Sequence, residues 1–243
     1  MKALQYCLLS FAVMAISFSL NAQTAEEIIA KYINAIGGKD KIAAINSVRM
    51  GTTISANGTD ASGTIIVVNG KAYRNESDWG GQKVIQVYTD KSGWQQNPFV
   101  GVNDPQALPD DAYKMGQYQI YLVPLLDYAS HGDKVELLGQ ERIGGGAGPN
   151  TYKIKVSNAN GMASTYYFDV ANNLPIQSIN TLDFAGQKTD VTTTYSDYVK
   201  SDAGWLYPQT VGIDFGGNFS MTSKVNKIEI NPTIDPGAFE MKK

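Results

Sequence analysis

The chain has 243 residues, 43% of them hydrophobic and only 18% charged, which is apolar surface enough for one core and too little charge for a disordered polymer. Twenty basic against 23 acidic residues leave no positive excess to neutralise a phosphate backbone, so a nucleic-acid partner is excluded. One Cys and one His exclude a Cys/His zinc site built by this chain alone, and the length points to a single domain.

Lys2 precedes an apolar run from Leu8 to Leu20, followed by Asn21-Ala22-Gln23. A basic start, about a dozen apolar residues and a small residue at the cut site make a secretory signal over residues 1–22. A spanning helix needs about 20 apolar residues, so this run does not anchor the protein. The single cysteine, Cys7, precedes the run and leaves with it. The expectation is a mature chain, residues 23–243, in the periplasm, without thiol, disulfide, lipid anchor or transmembrane segment.

Thr24-Ala25-Glu26-Glu27 has the form of a capping box. Ile29, Tyr32, Ile33 and Ile36 then recur at helical spacing, and Gly37-Gly38 supplies the left-handed stop. Asp40 is placed to cap a short turn over Lys41 to Ile45. Strand patterns begin at Val48, punctuated by Asn57-Gly58, Asn69-Gly70, Gly80-Gly81 and Asp90 to Gly93, and run to Asn97. Pro98 to Asp111 reads as a loop because of Pro105 and Pro109. Met115, Tyr118, Leu122 and Leu125 then form a helical stripe, which Pro124 divides into two short pieces. Strands resume after Gly132 and continue to Asn231, with turn residues between them and no linker or repeat.

The fold class that follows is α+β: one large curved antiparallel sheet, a half-barrel of about 11–12 strands, covered on its concave face by the N-terminal helix and the mid-chain helical pair. An interior of that kind is a natural pocket for an apolar ligand.

Catalytic constellations are missing from the sequence. There is no G-x-S-x-G, H-E-x-x-H, EF-hand loop or P-loop. Gly144 to Pro149 lacks the Lys and the helix of a phosphate cradle and reads as a hairpin loop. His131, in Ser130-His131-Gly132, sits where a cation complements a helix end. Asp110-Asp111 most simply caps the helix that follows. The expectation is a protein that is not an enzyme and uses no cofactor or metal. The aromatic residues are more informative. Trp79, Trp94, Phe99, Tyr118, Tyr121 and Tyr128 lie on or beside elements that line or cover the concavity.

Several segments resemble the periplasmic lipoprotein carrier and outer-membrane lipoprotein-receptor (LolA/LolB-like) superfamily. They are Asp90-Lys91-Ser92-Gly93-Trp94 with Asn97-Pro98-Phe99, the stretch Leu122 to Leu126, and Ile228 to Pro232 with Phe239. The opening from Ala25 to Ile45 is similar to a subgroup common in Bacteroidetes-type bacteria. The resemblance implies a half-barrel over residues 23–243 whose hydrophobic cavity takes acyl chains of lipoproteins or lipids, with no catalysis. The cavity-lining candidates are Trp79, Trp94, Phe99, Tyr118, Tyr121, Leu122, Leu125 and Leu126. In the carrier an arginine after the second strand latches the covering helices; here that stretch reads Val68-Asn69-Gly70-Lys71, and Arg74 is only nearby.

The expected function is therefore a non-enzymatic periplasmic protein that binds an acylated lipoprotein or lipid, in the context of outer-membrane lipoprotein sorting. The alternative is an envelope interaction or sensor module with another cell-envelope protein as partner and no lipid ligand. An outer-membrane barrel also fits an exported alternating meander, but the helical stretches and the charged ending Met241-Lys242-Lys243 argue against it.

Overall fold

Asn57-Gly58 and Asn69-Gly70 bend the chain into successive hairpins because Asn57, Gly58 and Gly70 adopt positive φ, as the tight turns require. Those hairpins start one continuous antiparallel sheet. In a computed structural model that describes residues 23–159, 161–184 and 187–242, the sheet has 13 strands. The proposed leader, residues 1–22, lies outside the described residues, as do Ala185 and Gly186, where the sequence pattern places a turn.

Two helices lead in, α1 (Ala25–Ala35) and α2 (Lys39–Ala43). Six strands follow: β1 (Ser47–Ala56), β2 (Thr59–Val68), β3 (Ala72–Trp79), β4 (Gln82–Thr89), β5 (Gly93–Asn97) and β6 (Val102–Ala107). A connecting segment holds the short helix α3 (Asp110–Gly116) and 3-10 turns at Gln117–Ile120 and Tyr128–His131. Seven more strands complete the sheet: β7 (Lys134–Arg142), β8 (Asn150–Ser157), β9 (Ala163–Asp169), β10 (Pro175–Phe184), β11 (Gln187–Lys200), β12 (Leu206–Phe215) and β13 (Ser220–Ile230).

The strand order is β6-β5-β4-β3-β2-β1-β13-β12-β11-β10-β9-β8-β7. The single meander expected from the sequence is thus two meanders. The chain winds outward from β1 to the edge strand β6, crosses through the α3 segment to the other edge, β7, and winds back to β13. The seam is the β1–β13 pairing, with Val48 opposite Ile230 and Ala56 opposite Met221. The edges β6 and β7 do not pair, so the sheet stays open.

β6 lies where the sequence reads as a loop. Its proline is tolerated because an edge strand has one row of backbone groups that needs no ladder partner. Trp94 pairs with Ala107 and Asn97 with Val102, with a bulge between. The Gly144–Gly146 stretch is, as expected, part of the β7–β8 hairpin loop, and all three glycines have positive φ.

The capping box forms as the sequence requires. Glu27 N donates to Thr24 Oγ1 at 3.2 Å, and Thr24 N donates to Glu27 Oε2 at 3.3 Å. The helix stops at Gly37-Gly38, where φ is +129° and +89°. A Cβ on Gly37 would lie 2.7 Å from the Gly204 carbonyl oxygen, so glycine is required there for close approach as well as for backbone angle. Asp110 and Asp111 do not cap α3. Pro109 is the N-cap and no side-chain capping bond forms; the two carboxylates lie in the first turn, where they complement the helix dipole.

Candidate functional site

Alternation along the strands sends one set of side chains to the face that α1 covers. Val48 on β1, Val67 on β2, Ile154 and Val156 on β8, Phe168 on β9 and Tyr207 on β12 form one buried cluster with Ile28, Ile29 and Ile33 of α1 and its C-cap Ile36. Ile42 of α2 and Ile45 just after it join the same cluster. The helix is therefore a row of isoleucines pushed into the concave face.

Its attachment is uneven. At the C-terminal end Leu206 N donates to Ile36 O at 2.9 Å, and Gly37 lies against the Gly204 backbone. Among the described residues no hydrogen bond or ion pair joins residues 25–33 to the sheet. That part of α1 is held by apolar contact alone.

Beneath the helix the floor is not purely apolar. Tyr32, Tyr166, Tyr195 and Tyr198 all have phenol pKa values raised, first by burial; proximity to other phenols adds to this at Tyr32, Tyr166 and Tyr198, whereas at Tyr195 the Ser178 hydrogen bond opposes it. Tyr195 Oη and Ser178 Oγ are 2.9 Å apart, and Tyr198 Oη donates to Pro175 O at 2.6 Å. Tyr32 packs on Phe168 with ring centroids 5.5 Å apart. These phenols stay neutral at any physiological pH and give the floor beneath α1 a band of hydroxyls among its aliphatic groups.

The segment between α3 and β7 forms the second part of the cover. Tyr113 Oη donates to Thr89 O at 3.0 Å, Gly70 N to Ile120 O at 2.9 Å, and Leu122 N to Asn69 Oδ1 at 3.0 Å. Tyr118 Oη donates to Asp133 Oδ1 at 2.8 Å. Burial and that hydrogen bond push the Tyr118 pKa up to about 12. Gly116 lies so close to Tyr88 that a Cβ there would collide with the ring. Lys39 Nζ to Asp127 Oδ1, at 2.9 Å, links α2 to the segment as an exposed ion pair.

Two hollows border this segment. One, of about 150 Å³, lies among Ile42, Asn69, Gly70, Tyr121, Val123, Leu126, Asp127 and His131. The other, of about 290 Å³, lies among Asp90, Tyr113, Gln117, Tyr118, Ile120, Tyr121, Ser130 and His131. The Tyr121–His131 pair, stacked at 4.1 Å, lines both.

The eight residues singled out from the sequence fall into three groups. Tyr118, Tyr121, Leu122, Leu125 and Leu126 come together on the covering segment; Leu125 is buried in the main core, with Leu122 and Leu126 packed against it. Trp79 and Phe99 form a separate edge-to-face pair at 6.4 Å, with Phe99 60% exposed. Trp94 is on the opposite face of the sheet. It pairs with Val87, packs with Ile85 and Val87 under Phe239, and donates from Nε1 to Phe239 O at 2.8 Å. The C-terminal segment, not the concavity, is what covers it. Met115, read as part of the apolar stripe, is 40% exposed, because the regular helix ends at Gly116 and the chain continues as a 3-10 turn. Arg74 shares the outer face: it bonds Glu76 and Ala238 O and lies 5.6 Å from the Trp94 ring, so it does not latch the cover.

Sequence reasoning did not select Ile28, Ile42 or the inner tyrosines Tyr32, Tyr166 and Tyr195. Helical spacing would have found Ile28 beside Ile29. The tyrosines only become a group once β9, β10 and β11 lie side by side.

Among the described residues, no group of three His, Cys, Asp or Glu side chains converges to hold a metal, and no helix is long and apolar enough to cross a membrane. No family model matches the sequence, and no curated protein does. Solved structures do match. A LolA superfamily protein from Nitrosomonas europaea has a TM-score of 0.59 at 12% identity, over 90% of this chain and 98% of that one. An outer membrane lipoprotein-sorting protein domain from Vibrio parahaemolyticus has a TM-score of 0.58 at 10% identity, over 88% and 94%. A DUF1329 family protein from Desulfovibrio piger has a TM-score of 0.52 at 10% identity, over 88% and 96%. At these identities the likeness is one of fold: the chain has a LolA-like half-barrel.

Proposed function

We propose that this chain is a non-enzymatic periplasmic binding protein in which an acyl chain of a lipid or lipoprotein takes the place of α1 against the concave face. The observation that carries the reading is the seating of α1: four buried isoleucines in an open sheet with, among the described residues, backbone attachment at the C-terminal end alone. Withdrawing Ile28, Ile29, Ile33 and Ile36 costs about 6–12 kcal/mol at about 1.5–3 kcal/mol per side chain. An acyl chain of about 14 methylenes returns about 11 kcal/mol at ~0.8 kcal/mol each. The two occupants are nearly balanced, which is the condition for reversible loading. The lipoprotein-sorting name of the Vibrio domain agrees with a ligand of this class.

The reading is tested by titrating the protein with a palmitoylated peptide and by native mass spectrometry after detergent-free purification. Saturable binding of the peptide, and a co-purified lipid mass, are expected. Binding no tighter than that of the unacylated peptide refutes it.

One observation favours the second reading, an envelope interaction module. The interior below α1 is filled by the protein's own side chains, and the two hollows described are small for a lipid, at or below the lower end of ordinary ligand pockets. Cross-linking a protein partner in cells to a chain that binds no acylated probe is the result that selects it.

A further inference from the structure

The 290 Å³ hollow has a chemistry that the acyl site does not need. Its walls are the three phenols Tyr113, Tyr118 and Tyr121, the His131 ring, and the polar groups of Asp90, Gln117 and Ser130. Most of its donors are already spent on the protein. Tyr113 Oη donates to Thr89 O, Tyr118 Oη to Asp133 Oδ1, and Ser130 Oγ to Asp127 O at 2.7 Å. What those three oxygens have left to offer is lone pairs. Asp90 carries a carboxylate with no ion pair among the described residues, and His131 Nδ1 is buried without a hydrogen-bond partner. No Lys or Arg side chain lines the space. Among the described residues Gln117, Tyr121 and one ring nitrogen of His131 keep a donor free, against the lone pairs of the other groups and the Asp90 carboxylate. Acceptors, one carboxylate and aromatic rings together select against an anion and for a cationic donor, since N–H groups meet the lone pairs and the positive charge is attracted to both the carboxylate and the ring quadrupoles.

We propose that this hollow binds a protonated primary amine. Resting on the acyl reading, the source is the headgroup ammonium of a lipid whose chain lies under the cover; the same chemistry is met by a free small amine. The hollow lies on the covering segment itself, so an ammonium bound there ties that segment between β4 and β7 and reports on the headgroup while the chain fills the concavity.

The test is calorimetric titration of the whole mature protein with ethylammonium chloride, against sodium chloride of equal ionic strength and against neutral ethanol. Saturable binding of ethylammonium alone is expected, weakened about tenfold or more in Asp90→Asn. Asp90 is exposed and, among the described residues, its carboxylate holds no hydrogen bond or ion pair, so the variant should melt at the wild-type temperature. Tyr121→Leu gives a second reading of the same site. In a further arm, short-chain phosphatidylethanolamine is compared with phosphatidylglycerol. Preference for the amine lipid that disappears in Asp90→Asn assigns the headgroup; ethylammonium binding without that preference assigns a free amine. Loss of acyl binding with ethylammonium binding intact would remove the acyl reading and leave this site standing. No saturation with ethylammonium at millimolar concentrations, or equal affinity in Asp90→Asn, overturns the proposal.

Discussion

Replacing Ile28 by Val separates a displaced plug from an ordinary pocket wall, because the two predict opposite signs. Ile28 is fully buried in the main cluster. Deleting one methylene from such a position costs about 0.5–1.5 kcal/mol, which in a domain of this size lowers the melting temperature by about 1–6 °C. If Ile28 lined a pocket, the same loss would weaken an acyl ligand. In the mechanism proposed here Ile28 belongs to the element that leaves. Weakening its seat lowers the cost of withdrawal, and apparent affinity for the acyl probe rises by up to about tenfold, since 1.4 kcal/mol is one decade. The assay is fluorescence titration with a palmitoylated probe, paired with thermal melting to confirm the stability loss. A variant that is destabilised yet binds the probe equally well or less well refutes the exchange of α1 for ligand.

Four other outcomes follow from particular contacts. Tyr118→Phe leaves Asp133, which is only 8% exposed, without its Tyr118 partner, and should cost about 1–3 kcal/mol in chemical denaturation; a neutral result would mean that Asp133 finds a replacement. Gly116→Ala forces a methyl into the Tyr88 ring and should cost about 1–3 kcal/mol, with near-wild-type stability restored by the compensating Tyr88→Leu if the collision is the cause. Truncation after Asn231 uncovers Ile85, Val87 and Trp94 on the outer face and removes the Trp94 and Arg74 bonds to residues 238–239; tryptophan emission should shift to the red and stability fall, with acyl affinity unchanged because this face is not the one proposed to bind the chain. For Glu76, burial opposes the charge, but hydrogen bonds from Arg74 and Lys83 outweigh it and hold the carboxyl below its ordinary value. Its contribution is therefore present above the unfolded carboxyl pKa and lost as pH falls through the lower folded value. Wild type should exceed Glu76→Gln by about 1 kcal/mol or less at neutral pH, and the gap should close in acid; a gap that is constant with pH contradicts the assignment.

Local chemistry was legible from residues alone. Thr24 and Glu27 announce the start of α1, Gly37-Gly38 its end, and Asn57-Gly58 and Asn69-Gly70 the first hairpins, because each signal is a backbone requirement met within a few residues. Three features were hidden for a shared reason: they depend on partners distant in sequence. β6 looks like a loop since Pro105 argues against a strand in general; only its position at a sheet edge makes the proline harmless. The β1–β13 seam joins segments about 180 residues apart, and no turn signal encodes it. The side on which Trp94 lies follows from its register with Val87 and from a C-terminal segment that arrives over the outer face, neither of which the Trp94 to Asn97 pattern contains. The candidate site was legible to the same degree. The sequence selected Tyr118, Tyr121 and Leu126, which the structure brings together on the covering segment beside the two hollows, while α1 was read as a helix that must cover something, without the competition with a ligand proposed above. Leu125, selected as a lining residue, is deep in the main cluster, so its replacement by a charged residue reports on folding rather than on binding.

The central claim is that α1 and an acyl chain compete for one surface, and hydrogen exchange read by mass spectrometry measures that directly. Amide protection of residues 25–36 is compared with and without saturating palmitoylated peptide. The account predicts that protection across α1 falls when the probe binds, while the central strands β1 and β13 keep theirs. Protection of α1 that is unchanged or higher in the loaded protein would contradict it.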